Sequence, residues 1–265
     1  MDANSLFSIK GKVALVTGGG RGVGEMIAAG FVANGAKVYI SSRDAAACDA
    51  TAAALTAQGP GQCVAIAADL SNYDECLRLA REISEREGGK LDILVNNSGA
   101  TWGAALEEYP DSAWTKLLTL NLQRVFTLTQ ALLPALEKGA EASGGVSRII
   151  NIGSVNGIGV PPLPTFAYSA SKAALHHLTR HLAGHVGKNI TVNALALGPF
   201  RSKMMKATLD ALEDVIAASL PMKRIGKPED VAAACLWLAG PGGEWVTGAI
   251  VPVDGGSLIF GEAKL

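Results

Sequence analysis

Tyr168 and Lys172 stand four residues apart in "TFAYSASKAAL" (165–175). If this run is helical, the two side chains share a face, one turn apart. An ammonium beside a phenol favours the phenolate, so the pairing predicts a tyrosine pKa lowered from about 10 toward neutrality. Such a group gives or takes a proton near pH 7.

A second constellation lies near the start of the chain. "TGGGRGVG" (17–24) follows an apolar, β-branched run, "KVALVTG" (12–18), and opens a helical pattern over 24–36. Glycines permit the tight turn, and free N–H groups at a helix start hold a pyrophosphate. The strand–turn–helix context predicts dinucleotide binding at Gly18, Arg21, Gly22, Val23 and Gly24. The next strand ends at Ser42-Arg43, where NAD-binding proteins place an acid for the ribose hydroxyls. Arg43 and Arg21 together would clamp a 2′-phosphate, although Asp44 weakens the local field. The reading is NADP(H).

These residues need a frame. Apolar strand patterns occur at 12–18, 37–41, 63–71, 91–99, 147–154, 189–198 and 248–256. Helical patterns fall between them, at 24–36, 45–59, 72–87, 111–138 and 166–186. Near-continuous apolar strands suit a parallel sheet covered on both faces. The expected fold is α/β, a Rossmann-type doubly wound sheet of seven parallel strands in one domain, residues 1–265. The proline-rich "GVPPLPTF" (159–166) falls in a loop at the carboxyl end of the sheet, where such folds bind ligands.

The glycine pattern, "NNSG" (96–99), Asn121, Ser154 and Tyr168-x-x-x-Lys172 together resemble the short-chain dehydrogenase/reductase family. The similarity runs from Lys12 to Gly256. Within that family, "WGAALEEYP", "INIGSVNGI" and "SKAALHHL" resemble 3-oxoacyl reductases of the rhamnolipid-pathway type. The resemblance implies dimers or tetramers and a catalytic set of Asn121, Ser154, Tyr168 and Lys172. Tyr168 would pass the proton and Ser154 would hold the carbonyl oxygen. Lys172 would lower the tyrosine pKa and bind the nicotinamide ribose, while Asn121 anchors a water. Cofactor contacts would come from Asp69, Leu70, Asn97, Gly99, Gly198 and Ser202, besides Tyr168 and Lys172. Three departures stand out: Ser98 for the usual Ala, Leu197-Gly198-Pro199 for the usual Pro-Gly, and Ser202 for the usual Thr.

Bulk composition narrows the partners. The 265 residues carry 23 basic and 24 acidic side chains, so the net charge of −1 favours neither nucleic acid nor a polycation. The four cysteines lie apart without a CxxC pair and read as buried free thiols in a reducing compartment. No segment offers about 18 consecutive apolar residues, which argues against a membrane span. The expected location is the cytoplasm. Ala263-Lys264-Leu265 resembles a peroxisomal address and would apply in a eukaryote.

His177, His181 and His185 form a stripe with His176 beside it. No acid or cysteine completes a metal set, so helix packing or a subunit contact is expected. Leu117, Leu118, Leu122, Val125, Leu128 and Leu132 give the long helix more apolar surface than one sheet contact needs. That pattern predicts an oligomer. Trp102, Phe166 and Phe200 are candidates for an apolar substrate wall. The leading activity is NADP(H)-dependent transfer of a hydride between nicotinamide and a small-molecule carbonyl or alcohol. An enoyl reductase or an idle dinucleotide sensor on the same fold stand as alternatives.

Overall fold

A computed structural model describes residues 2–259. Seven strands form one parallel sheet in the order β3-β2-β1-β4-β5-β6-β7. They are β1 Val13–Thr17, β2 Lys37–Ser41, β3 Gln62–Ala65, β4 Ile93–Asn96, β5 Ser147–Ile152, β6 Ile190–Leu197 and β7 Ile250–Val253. The order reverses between β1 and β4, which places a crevice at their carboxyl ends.

After a short turn, α1 (Ala3–Leu6), the helices alternate with the strands. They are α2 Gly22–Ala33, α3 Ala45–Gln58, α4 Tyr73–Arg86, α5 Asp111–Leu118, α6 Arg124–Ser143, α7 Phe166–Ala183, α8 Lys206–Ser219 and α9 Pro228–Ala239. Strand alternation splits the core in two. Ala14 and Val16 pack with Ile27 and Phe31 of α2 and with Val231 and Cys235 of α9. Leu15, between them, points to Leu79 of α4 and Leu132 of α6 on the other face. Both faces are covered, which is why the strands read as continuous apolar runs.

Four boundaries differ from the sequence reading. β3 ends at Ala65, so Asp69 and Leu70 lie in the loop beyond it. The helix expected over 111–138 is interrupted by a π-turn at Thr119–Gln123 and then continues through Pro134 to Ser143. α9 has no counterpart in the reading, although Pro228 at its first position with Glu229 and Asp230 in the first turn is a helix-start signature. α8 likewise has no counterpart among the expected helices.

The described cysteines are all free and buried, as expected. Among the described residues no helix is long and apolar enough to cross a membrane. Ala263-Lys264-Leu265 lies outside the described residues.

Candidate active site

The glycine loop is shaped by backbone proximity. Gly18 has φ +67° and its N–H donates to the Ser41 carbonyl at 2.6 Å. A Cβ on Gly18 would stand 2.8 Å from Asn97 Nδ2, and one on Gly24 would run into the Gly18 carbonyl oxygen. Asn97 braces the loop from below. Its Nδ2 donates to the Thr17 carbonyl at 2.8 Å, and its backbone N–H donates to Thr17 Oγ1 at 2.9 Å. Ser202 lies over the loop, its Cβ 3.2 Å from where a Gly22 Cβ would be. Val23 is half-buried in the first turn of α2. Gly198 abuts Asp254, whose Cα would be 2.8 Å from a Gly198 Cβ.

Beside this loop, Arg21 and Arg43 are exposed. Neither takes part in an ion pair among the described residues. Asp44 is committed elsewhere: its carboxylate caps α3 by accepting from Ala47 N–H at 3.1 Å. Ser42 touches the loop, its Oγ 3.1 Å from the place of a Gly20 Cβ. Asp69 accepts from Ser71 N–H and Oγ at 3.0 and 2.8 Å, and Leu70 is buried.

The second group gathers at the carboxyl end of β5 and the start of α7. Ser154 follows β5 and is 6% exposed. Its hydroxyl accepts from Asn156 N–H at 3.2 Å and acts on the Tyr168 phenol as an influence that lowers its pKa. Lys172 is buried, and its Nζ donates to the Ile152 carbonyl at 2.7 Å while standing 5.7 Å from the Tyr168 ring centroid. A Cβ on Gly99 would be 3.2 Å from Asn121 Oδ1 and 3.8 Å from Lys172 Nζ. The four catalytic candidates and Gly99 are therefore neighbours, two residues along from Asn97 and its glycine loop.

The expected pKa relation is corrected. Burial holds the Tyr168 phenol above its ordinary value, and the Ser154 hydroxyl only partly offsets this. The ammonium is spent on the Ile152 carbonyl and lies over the ring rather than on the hydroxyl. Burial in turn pushes Lys172 down to about 8, because no carboxylate accompanies its charge.

Asn121 sits in the π-turn, a distortion that redirects one side chain out of helical register. Its amide is fully engaged: Oδ1 accepts from Ala100 N–H, and Nδ2 donates to the Ala100 carbonyl, each at 2.9 Å, and to Ser171 Oγ at 3.0 Å. Ser171 then donates to the Tyr168 carbonyl at 2.7 Å. Ser171 and Thr17 were missed by the sequence reading, since a hydroxyl inside a helix or at a strand end carries no motif.

Of the aromatic candidates, Phe200 is corrected: it is buried against Gly226 and cannot line a pocket. Phe166 packs edge-on against Tyr109 at 5.3 Å. Trp102 stays 40% exposed. Its loop is tied to the proline-rich loop by Ala104 N–H, which donates to the Pro164 carbonyl at 3.3 Å. Ile158, Val160 and Leu163 on that loop and Met204 and Leu212 beyond Ser202 are exposed apolar side chains. The histidine stripe holds no metal cluster among the described residues; His177, His181 and His185 are exposed, while His176 is buried.

The family model described as Enoyl-(Acyl carrier protein) reductase matches residues 18–257. The chain is 49% identical over 254 residues to the rhamnolipids biosynthesis 3-oxoacyl-[acyl-carrier-protein] reductase of Pseudomonas aeruginosa, covering 94% of this chain and 97% of that protein. A solved Pseudomonas aeruginosa RhlG/NADP active-site complex superposes with a TM-score of 0.91 at 47% identity, covering 96% of this chain and 99% of that one. An actinorhodin polyketide ketoreductase variant solved with NADPH gives 0.86 at 30% identity, over 94% and 98% of the two chains.

Proposed function

The chain belongs to the short-chain dehydrogenase/reductase family and is an NADP(H)-dependent oxidoreductase acting on a carbonyl/alcohol pair, and we propose that the carbonyl it reduces is a 3-oxoacyl thioester or a polyketide-like ketone. The observation that carries the reading is the convergence of Ser154, Tyr168 and Lys172 beside Gly99. The exposed apolar residues on the loops at this edge suit an acyl chain.

The glycine loop fits a dinucleotide because the positions of Gly18 and Gly24 leave no room for a side chain. Arg21, Ser42 and Arg43 would hold the 2′-phosphate, and Asp69 and Leu70 would flank the adenine. Asn97, Gly99, Gly198, Ser202 and Lys172 would border the nicotinamide half. The bound cofactor supplies the hydride that reaches the carbonyl carbon. Tyr168 Oη gives its proton to the carbonyl oxygen, and Ser154 Oγ donates a hydrogen bond to that oxygen. Lys172, held on the Ile152 carbonyl, would bind the nicotinamide ribose. Asn121 locks Ala100 to Ser171 and so fixes where α7 begins. Oxidation of the alcohol runs these steps backward.

Chemical analysis of the product tests this. Incubation with NADPH and a 3-oxoacyl thioester should yield the 3-hydroxyacyl thioester. A chain that consumes NADPH with a trans-2-enoyl thioester, and with no ketone, would instead be an enoyl reductase.

The same reading covers the assembly and its place. We propose that residues 1–265 act as one cofactor-binding and catalytic domain in a homodimer or homotetramer. Leu117, Val125, Leu128 and Leu132 are buried inside the fold, so they do not supply the contact. Trp114 and Phe126, exposed on α5 and α6, are the side chains offered to a second copy. A monomer in sedimentation at micromolar concentration would end that claim. Buried free thiols suit a reducing cytoplasm.

A further inference from the structure

The four-residue step that joins Tyr168 to Lys172 on α7 reaches one turn further, to His176. This imidazole is 4% exposed, unlike the three other histidines of the helix. It sits inside the turn that carries Ser154. A Cβ added to Gly153 would collide with His176 Nε2 and would stand 2.8 Å from Cδ2. One added to Gly157 would stand 2.9 Å from Cε1 and 2.7 Å from the α7 backbone at Ala173 N. The two glycines that flank Ser154-Val155-Asn156 thus leave the space the ring occupies. Nε2 has no hydrogen-bond partner, while the Gly157 carbonyl faces the ring closely enough to favour a proton on it.

We propose that His176 is a positioning residue for Ser154, holding the Gly153–Gly157 turn on α7 so that the Ser154 hydroxyl meets the carbonyl oxygen. The ring acts as a neutral wedge. A proton on its other nitrogen would tether the far end of the turn at the Gly157 carbonyl, and its Nε2 edge lies against Gly153 at the near end. Burial and the Lys172 charge press its pKa down to about 4, so the wedge carries no charge at working pH. A like charge one turn from Lys172 would work against the ammonium that the proposed mechanism uses. A hydrocarbon side chain of similar size would fill the space and lose the tether to the half-buried Gly157 carbonyl.

This inference rests on the proposed ketone reduction, and its test separates the two. The wild-type protein is first required to reduce a ketone substrate; failure there concerns the reading of the site and not His176. A double-mutant cycle then uses Ser154→Ala and His176→Leu, with kcat for that ketone and the affinity for NADPH measured for each variant. A residue acting through Ser154 has nothing left to position once the hydroxyl is gone. The expected result is a loss of about tenfold in kcat for His176→Leu, with NADPH affinity within about twofold of wild type. In the Ser154→Ala background the same change should cost less than about twofold. His176→Asn places an amide N–H near the Nδ1 position, and it should recover most of the kcat lost in His176→Leu. Equal losses in both backgrounds would overturn the proposal, as would an unchanged kcat or a fall in NADPH affinity as large as the fall in kcat. If His176→Leu does not fold, His176→Ala takes its place in the cycle under the same criteria, with His176→Asn kept as the rescue.

Discussion

The two ends of the sheet treat their charged side chains differently. At the amino end the entrances of β1 and β2 are closed by ion pairs, while the buried Arg148 at the start of β5 rests on the Val146 and Gly240 carbonyls. Lys12 binds Asp92 at 2.9 Å, and the other oxygen of Asp92 accepts from Val13 N–H at 2.8 Å, which stitches β1 to β4. Glu87, past the end of α4, accepts from both Lys37 at 2.5 Å and the buried Tyr39 hydroxyl. At the carboxyl end the cations beside the glycine loop and the catalytic candidates have no carboxylate, although Arg201 beyond β6 pairs with Asp210 and Glu213. Lys172 has one carbonyl, and Arg21 and Arg43 take part in no ion pair among the described residues. His176 keeps an orphaned nitrogen. Paired charge is a fold's ordinary solution, so the unpaired cations gathered around the crevice mark where ligands complete the set.

The largest break in this contrast should come from Tyr168→Phe. It removes the proton donor and leaves the ring, Lys172 and the glycine loop in place. Carbonyl reduction should fall by about two orders of magnitude or more, with NADPH binding close to wild type. Steady-state turnover alongside titration of NADPH fluorescence reads both quantities. Near-normal turnover would remove Tyr168 from the mechanism.

Arg43→Asp tests the unpaired cations directly. A charge-assisted clamp on a 2′-phosphate is lost and a repulsion gained, so NADPH affinity should drop about 10- to 100-fold while NADH affinity barely moves. Equal wild-type affinity for the two cofactors would contradict the proposed role of this corner.

At the amino end the effect should fall on stability alone. Glu87→Ala strands the Tyr39 hydroxyl, in a residue 1% exposed, and frees Lys37. Unfolding in urea should show a loss of about 1–3 kcal/mol with kcat unchanged. Loss of turnover in a variant that remains folded would show that the two ends are coupled rather than separate.

How much of this was open to a reader of the sequence depends on range. β5 and β6 were legible because burial on both faces fills "SRIINI" and "ITVNALAL" with aliphatic residues between a few buried polar ones. Tyr168 and Lys172 were legible because one helix turn spaces them, and Ser154 through the family resemblance. The Tyr168 pKa was not, since its direction follows from burial and from the Ile152 carbonyl taking the ammonium, a contact between residues 20 apart. The π-turn at Asn121 was equally hidden, because it rests on Ala100 and Ser171, distant in sequence. His176 was within reach. The step from Tyr168 to Lys172, repeated once, lands on it, whereas grouping it with the exposed stripe concealed the buried member.

The smallest effect separates the cost of Lys172 from its use. Its ammonium is buried without a carboxylate, and its pKa falls from the ordinary 10.5 to about 8 in the folded chain. The folded state therefore disfavours the charged form relative to the unfolded state. Below pH 8 the lysine is charged in both states, and the full cost of burying that charge weighs on the fold. As pH rises from about 8 toward 10.5, the folded lysine sheds its proton while the unfolded one keeps it, so this cost is relieved. Lys172→Met keeps a flexible chain of similar length and has no charge to bury. At pH 7 the variant should be more stable than wild type by about 1–3 kcal/mol, and the gap should close between pH 8 and 10.5. Cofactor-free samples of both proteins unfolded in urea across that range give the comparison, and the difference between them cancels the other groups that titrate there. Reduction by Lys172→Met should fall sharply even though its fold is firmer. A variant less stable than wild type at pH 7, or a gap that does not change with pH, would mean that the ammonium is better satisfied than one carbonyl allows, and the carboxyl end would then resemble the amino end.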